Sequence, residues 1–462
     1  METTQNLMII NITDRADSDG AGCAILTNII PENLEGYDNV TKYIVPAPRN
    51  AVDNMLEELL LVIKNPELYE NCDSEYKSLV DIESHIFNDT PHEIWLIVTD
   101  VPVGEEIAKK LISYNQQLNR IKVKTMVFDH HPTNLGILHA ASTTASCDIS
   151  ELVGGYRVDS PGFMAVVLHC PCTLNIPEIR SKTNFGEMRL RSATMIYYAE
   201  FLRSEIFENK AEPLGLFAYE ISQYDTFEFK SHPEDWHCKN PDAYALYFNL
   251  CGFDKFVEEL TPNLKYFLGW YQELPDVYEE RVTHHSTSEY PLLFTTASTP
   301  HLSRVIETLI IQRDKSYDFA KKDLRFTLME ISTNVSCKCP MSTYSDDDDL
   351  ILAQTDDSVT YNIGLIPNMT NVSYIGNRIS EEYDSLDCII FFSAETQTIS
   401  MRTIHDDVDL SKISTIFGGG GHKKAAGAKV NPAQIMRFLE MYFKAMPLSR
   451  YDEVFNEVEI EE

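Results

Sequence analysis

The sequence predicts an α/β protein: an N-terminal domain on a mainly parallel sheet, a smaller C-terminal α/β domain, and a helical segment joining them. Three observations predict it. Apolar runs alternate with amphipathic helical patterns through the first half, the order expected of parallel strands linked by crossover helices. Three of those runs end in acidic or imidazole side chains: Leu7–Ile12 leads to Asp14, Asp17 and Asp19, Ile94–Val98 to Asp100, and Val123–Phe128 to Asp129-His130-His131. Strand signals return near the C-terminal end, after a mainly helical stretch punctuated by Pro262, Pro275, Pro291 and Pro300.

Between the first strands, Ala51–Lys64 and Gly104–Asn119 carry the apolar spacing of amphipathic helices, and Ser192–Phe207 reads as another helix ahead of Tyr224-Asp225-Thr226-Phe227. Thr143–Arg191 reads as an irregular insertion, and Ser345–Leu350, with four consecutive Asp, as a solvated loop without the glycine and spacing of an EF-hand. Asp387–Phe392 and Thr398–Ile404 form a hairpin pattern, and the closing VFNEVEIEE is an acidic tail. The expected divisions are residues 1–252, a helical elaboration over 253–338, a second α/β domain over 339–446, and the tail over 447–462.

Net charge is −33, from 38 basic and 71 acidic residues. Proteins that track long duplexes present broad basic surfaces, so a short anionic ligand held by a few cations and backbone amides is expected instead. No stretch is apolar enough to span a bilayer and the start METTQN is not a secretory signal, so a cytoplasmic, membrane-free protein is expected. Ten Cys include two close pairs, Cys170-Pro171-Cys172 and Cys337-Lys338-Cys339, whose spacing is tighter than zinc motifs use; reduced thiols are expected.

Carboxylates and imidazoles gathered at one sheet edge would repel unless cations lay between them, and a two-metal hydrolytic centre follows. Oxygen-rich donors with one or two imidazoles suit manganese first and magnesium second. Asp17 and Asp19 alternate along a turn and face different ions, Asp100 is the natural bridge, and Asp129 orients a histidine as outer carboxylates do.

The ordered set Asp-x-Asp-Gly, strand-Asp, Asp-His-His and Gly418-Gly419-Gly420-Gly421-His422, with Ala425-Ala426-Gly427 after it, resembles the DHH phosphoesterase family with its C-terminal DHH-associated domain. The resemblance implies a DHH catalytic domain over 1–252 and a substrate-binding DHH-associated domain over 339–446. It implies that His130 is a metal ligand, that His131 sits near the scissile phosphate, and that Asp225 completes the second ion. It also implies that Gly418 to Gly421, His422, Lys423 and Arg402 bind the far end of a nucleotide, and that the protein self-associates as a homodimer. Where the family has His or Asp before the residue matching Asp17, this chain has Arg15 and Thr13; Asp14, between them, substitutes if the turn shifts by one residue.

The activity implied is that of a manganese-dependent phosphodiesterase, nanoRNase-like and exonucleolytic, acting on short oligonucleotides. A cyclic- or linear-dinucleotide signalling phosphodiesterase, a RecJ-like single-strand exonuclease and a catalytically degenerate nucleotide-binding protein stay open beside it.

Overall fold

The first strand, β1 (Asn6–Asp14), is buried at every position after Asn6, as befits an inner strand of a sheet covered on both faces. The chain then runs through α1 (Ser18–Ile29), β2 (Asn39–Ala47), α2 (Val52–Lys64), α3 (Lys77–Asn88), β3 (Glu93–Thr99), α4 (Glu105–Tyr114), β4 (Lys122–Asp129) and α5 (Gly136–Ser142). Strands β5 (Asp148–Leu152), β6 (Gly155–Ser160) and β7 (Phe163–Leu168) complete the first sheet, in the order β2-β1-β3-β4-β7-β6-β5. The first five in that order are parallel, and β6 and β5 are antiparallel additions at one edge. The computed structural model describes residues 5–66, 76–88, 91–114, 121–131, 135–152, 155–168, 191–226, 240–273, 300–332, 358–367, 369–421 and 423–447.

Register decides where the chemistry falls. Thr13 pairs with Thr99, and Thr99 with Phe128, so β1, β3 and β4 finish level with one another. The next residues are Asp14, Asp100 and Asp129, at the carboxyl edge where open α/β sheets place their sites. Beneath that edge runs a buried polar chain: Asn11 Nδ2 donates to Thr27 Oγ1 at 2.7 Å, and Thr99 Oγ1 donates to Asn11 Oδ1 at 3.3 Å. α1 is buried around almost its whole circumference, because it lies between the sheet and the helices that follow.

Thr143–Arg191 corrects the sequence reading. Its first part is not irregular but supplies β5, β6 and β7; the hairpin between β6 and β7 turns at Pro161-Gly162, where Gly162 has φ +75°. Cys170-Pro171-Cys172, Cys337-Lys338-Cys339 and Ser345–Leu350 lie outside the described residues. Among the described residues, Cys23, Cys147, Cys251 and Cys388 are free thiols.

The helix expected over Ser192–Phe207 is α6 (Ala193–Tyr197) continuing as a π-helix, Tyr198–Ile206. After it come α7 (Glu212–Asp225), α8 (Ala243–Glu273, broken at Gly252) and α9 (Pro300–Asp323). Strand structure resumes at β8 (Arg325–Ser332), inside the stretch expected to be helical.

The chain forms two units, residues 1–307 and 308–462. The second adds β9 (Ser358–Pro367), α10 (Val372–Glu382), β10 (Cys388–Ser393), β11 (Thr398–Arg402), α11 (Leu410–Ile416), β12 (Gly420–Gly421), β13 (Ala425–Lys429), α12 (Pro432–Lys444) and β14 (Met446–Pro447). Its mixed sheet has the order β12-β13-β11-β10-β9-β8-β14. The alternation of β10 builds a core on each face: Cys388, Ile390 and Phe392 enter one cluster, Ile389 and Phe391 the other. The expected hairpin of β10 and β11 is present. No helix among the described residues is long and apolar enough to cross a membrane.

Candidate metal centre

The carboxyl edge of the first sheet gathers most of the predicted ligands. Three groups each hold donor atoms within 4.8 Å of one another: Asp14, Asp17 and Asp100; Asp19, His130 and Asp225; and Asp100, His130 and His131. Asp17 and Asp19 fall in different groups, as their alternation suggested, and Asp100 and His130 each belong to two.

Each position has a local cause. Asp14 ends β1 buried, with Oδ1 accepting from the Ala16 amide at 2.9 Å. Asp17 caps α1: its Oδ1 accepts from the amides of Asp19 and Gly20 at 3.0 and 3.1 Å, which leaves Oδ2 for another partner. Gly20 is required there, because a Cβ would lie 2.1 Å from the Asp14 carbonyl oxygen. Asp100 turns off β3 with φ +58°, a left-handed backbone that Asp tolerates more readily than most side chains.

Asp19 is held from a distant part of the chain. The amides of Ala193 and Thr194, opening α6, donate to its two carboxylate oxygens at 2.9 and 3.0 Å, and the Thr194 hydroxyl donates to its carbonyl at 2.7 Å. Asp225 closes α7, where a carboxylate faces the negative end of the helix dipole and gains nothing as a cap. His130 Nε2 stands 3.4 Å from Asp100 Oδ1, 3.4 Å from Asp225 Oδ2 and 3.8 Å from Asp19 Oδ2.

His131 Nδ1 lies 2.7 Å from Asp129 Oδ1. An ionised carboxylate only accepts, so this nitrogen is the donor and the other ring nitrogen is left as the basic one. With Nδ1 so engaged, His131 is better suited to act on a substrate than to complete the Asp100–His130 group through that atom.

The electrostatics call for cations. Burial, then the charges of Asp17, Asp19 and Asp225, push the Asp100 carboxyl well above its usual range, and both its oxygens are buried without a hydrogen-bond partner. Burial raises Asp225 to about 8 despite the opposing pull of His130. Burial alone would lower His130, but Asp225, Asp19, Asp129 and Asp17 outweigh it and the imidazole is raised. An oxygen-rich donor set with imidazole, holding unpartnered buried carboxylate oxygens, fits hard divalent ions.

A pH dependence follows from these signs. All three groups hold their protons more tightly in the folded, metal-free chain than in the unfolded one. Their stabilisation is therefore complete below the unfolded values, about 4 for the carboxylates and about 6.5 for the imidazole, and is lost as pH rises through the folded values. Melts in chelator should show stability falling between about pH 5 and pH 8, with manganese raising the midpoint more at pH 8 than at pH 5.5. Global charge repulsion acts the same way, so Asp100→Asn must flatten the chelated profile. An unchanged slope in that variant would reject this assignment.

Two contributors were missed from the sequence: Thr194 and Arg49. Arg15, which stands where the resembled family has His or Asp, is exposed, and its amide joins β1 to Ala47 of β2. The guanidinium beside the carboxylates is that of Arg49, which follows β2. The signal was available: β2 is a fourth parallel strand ending at the same edge.

In the second unit, Arg402 ends β11 with Nε and Nη2 donating to Ser373 Oγ at 3.2 and 2.9 Å. Gly418 terminates α11 with φ +72°, Gly421 has φ +137°, and a Cβ on Gly419 would meet the Gly427 carbonyl oxygen at 2.1 Å. Gly420 has none of these constraints and faces open space. Lys423 accepts the Leu410 amide through its carbonyl at 2.8 Å; His422 lies outside the described residues.

Comparison with known proteins meets this description at its C-terminal end. The DHHA1 domain model matches residues 356–446, so that segment is a DHHA1 domain. The chain is also similar to Oligoribonuclease NrnB of Bacillus subtilis (strain 168), 21% identical over 355 residues, covering 76% of this chain and 63% of the relative. It thus spans less than two thirds of that relative. The DHHA1 match thus follows motifs that resemble those of the DHH family, and the similarity to the oligoribonuclease is weak.

Among solved structures, an exopolyphosphatase-related protein from Bacteroides fragilis is similar at 11% identity and a TM-score of 0.37, covering 95% of this chain and 91% of that one. A pGpG-specific phosphodiesterase, PggH from Vibrio cholerae, is similar at 12% identity and a TM-score of 0.27, covering 98% and 97%.

Proposed function

We propose that this protein is a divalent-metal-dependent phosphodiesterase, manganese-preferring, that hydrolyses short oligonucleotides to mononucleotides. The observation that carries the reading is Asp100: a buried carboxylate with neither oxygen hydrogen-bonded, shared by two of the three donor groups. The similarity to an oligoribonuclease supports the substrate class, as does a net charge of −33 that disfavours long polyanions.

In this reading residues 1–252 form the catalytic domain. Asp14 and Asp17 would hold one ion and Asp19, His130 and Asp225 the other, with Asp100 within reach of both groups. Bound ions would lower the pKa of an attacking water and neutralise charge on the phosphoryl oxygens. His131, its ring fixed by Asp129, hydrogen-bonds the reacting phosphate and stabilises the charge that develops there. Asp19, anchored by the α6 amides, keeps its geometry without reorganisation. The glycine segment Gly418 to Gly421, with His422, Lys423 and Arg402, binds a second phosphate through backbone amides and cations.

The test is a matched panel: a linear RNA dinucleotide, a five-residue RNA, a cyclic dinucleotide and a long single-stranded DNA, each with manganese and with chelator. Fast manganese-dependent cleavage of the two short RNAs, absent in His130→Ala, is expected. Preference for the cyclic or the long substrate would overturn the substrate assignment, and cleavage in chelator would overturn the metal dependence.

A further inference from the structure

Arg49 occupies a place that neither the motifs nor the proposed mechanism explains. It opens a short 3-10 turn directly after β2, reached through the extended Pro48. Because Ala47 pairs with Asp14 across the parallel β1–β2 ladder, this puts a cation at the edge where the neighbouring strands deliver carboxylates. Its Nε donates to Asp14 Oδ2 at 2.5 Å and its Nη2 to Asp17 Oδ2 at 3.4 Å. The Asp14 side chain is 1% exposed, whereas those of Arg49 and Asp17 are 44% and 38% exposed. One end of the contact is therefore fixed in the interior and the other is free to leave.

We propose that the Arg49 guanidinium is a built-in counter-charge for the Asp14–Asp17–Asp100 group, competing with a divalent ion for the same carboxylate oxygens, so that the two ions load unequally. The proposal rests on the metal centre described above. Among the described residues, neither Asp19 nor Asp225 has an arginine or lysine within ion-pair distance, and the group they form with His130 fills first. The second ion enters only as Arg49 gives up Asp14 Oδ2 and Asp17 Oδ2. A guanidinium is always charged, so acidity does not relieve the competition; only concentration of the ion does.

Manganese titrations of the full chain by calorimetry, without substrate, test this. Wild type is expected to bind one ion tightly and a second at least tenfold more weakly. Arg49→Gln should tighten the second ion about tenfold or more and leave the first unchanged. Arg49→Lys, which keeps the charge but loses the paired geometry, should fall between them. In chelator, Arg49→Gln should melt below wild type, since the carboxylates lose their counter-charge, and should gain more from added manganese.

Two ions of equal affinity in wild type, or an unchanged second ion in Arg49→Gln, would overturn the competition while leaving the metal centre standing. Failure of wild type and both variants to bind any ion would overturn both together.

Discussion

Purified His130→Ala protein is expected to lose roughly a hundredfold or more in turnover, together with most of its affinity for the ion held by Asp19 and Asp225. Loss of an outer partner to a metal ligand already costs about 10–100-fold, and His130 faces three carboxylates directly. The deletion also leaves Asp19, Asp100 and Asp225 clustered without the imidazole, so like-charge repulsion grows as the ligand set shrinks. Turnover and metal binding measured on the same preparation separate the two consequences. Wild-type manganese affinity in His130→Ala would remove this residue from the centre.

Gly20→Ala is expected to be nearly as damaging without touching any functional group. The added methyl would lie 2.1 Å from the Asp14 carbonyl oxygen and 2.8 Å from its carbonyl carbon, both backbone atoms that cannot swing aside. Either β1 or the first turn of α1 must shift, and each carries proposed ligands: Asp14 on the strand, Asp17 and Asp19 at the helix start. Overpacking of this kind costs about 1–3 kcal/mol, a fall of roughly 1.5–5 °C in melting midpoint for the unit spanning residues 1–307, with a larger effect on turnover. Gly269→Ala is the matched control. It lies within α8 with nothing within 4 Å of the new methyl, so it should be neutral or stabilising by up to about 1 kcal/mol. Equal behaviour of the two variants would show that contact with Asp14 is not what restrains position 20.

Much of the first sheet was legible because its strands are long apolar runs that stop at Asp, and such runs in alternation with helical patterns admit few arrangements. That β1, β3 and β4 are neighbours ending level follows from the same logic, and with it the meeting of Asp14, Asp17, Asp19, Asp100 and His130. Asp225 was named from the family resemblance, with its place after a helical stretch as support, and it lies beside Asp19 and His130. The hairpin of β6 and β7 was not, although Pro161-Gly162 marks its turn, because the surrounding cysteines and prolines drew the segment toward irregularity. β8 was missed because its alternating side chains follow the 24-residue α9 almost without a break. Thr194 and Arg49 are a different case. Thr194 reaches Asp19 across 175 positions, which no local pattern announces, whereas Arg49 reaches Asp14 across 35 and is signalled only by β2 ending at the same edge.

The polar chain under the site edge, from Thr27 through Asn11 to Thr99, has a consequence for which strand alignment survives. β1 and β3 are buried on both faces, so water offers little penalty against sliding one past the other by a single residue. A slide would instead carry the Thr99 hydroxyl away from Asn11 Oδ1 and leave that buried acceptor without its donor, a loss of about 1–3 kcal/mol. The Asn11 amide therefore acts as a ratchet tooth: it fixes the alignment of two greasy strands, and with it the height at which Asp14 and Asp100 emerge.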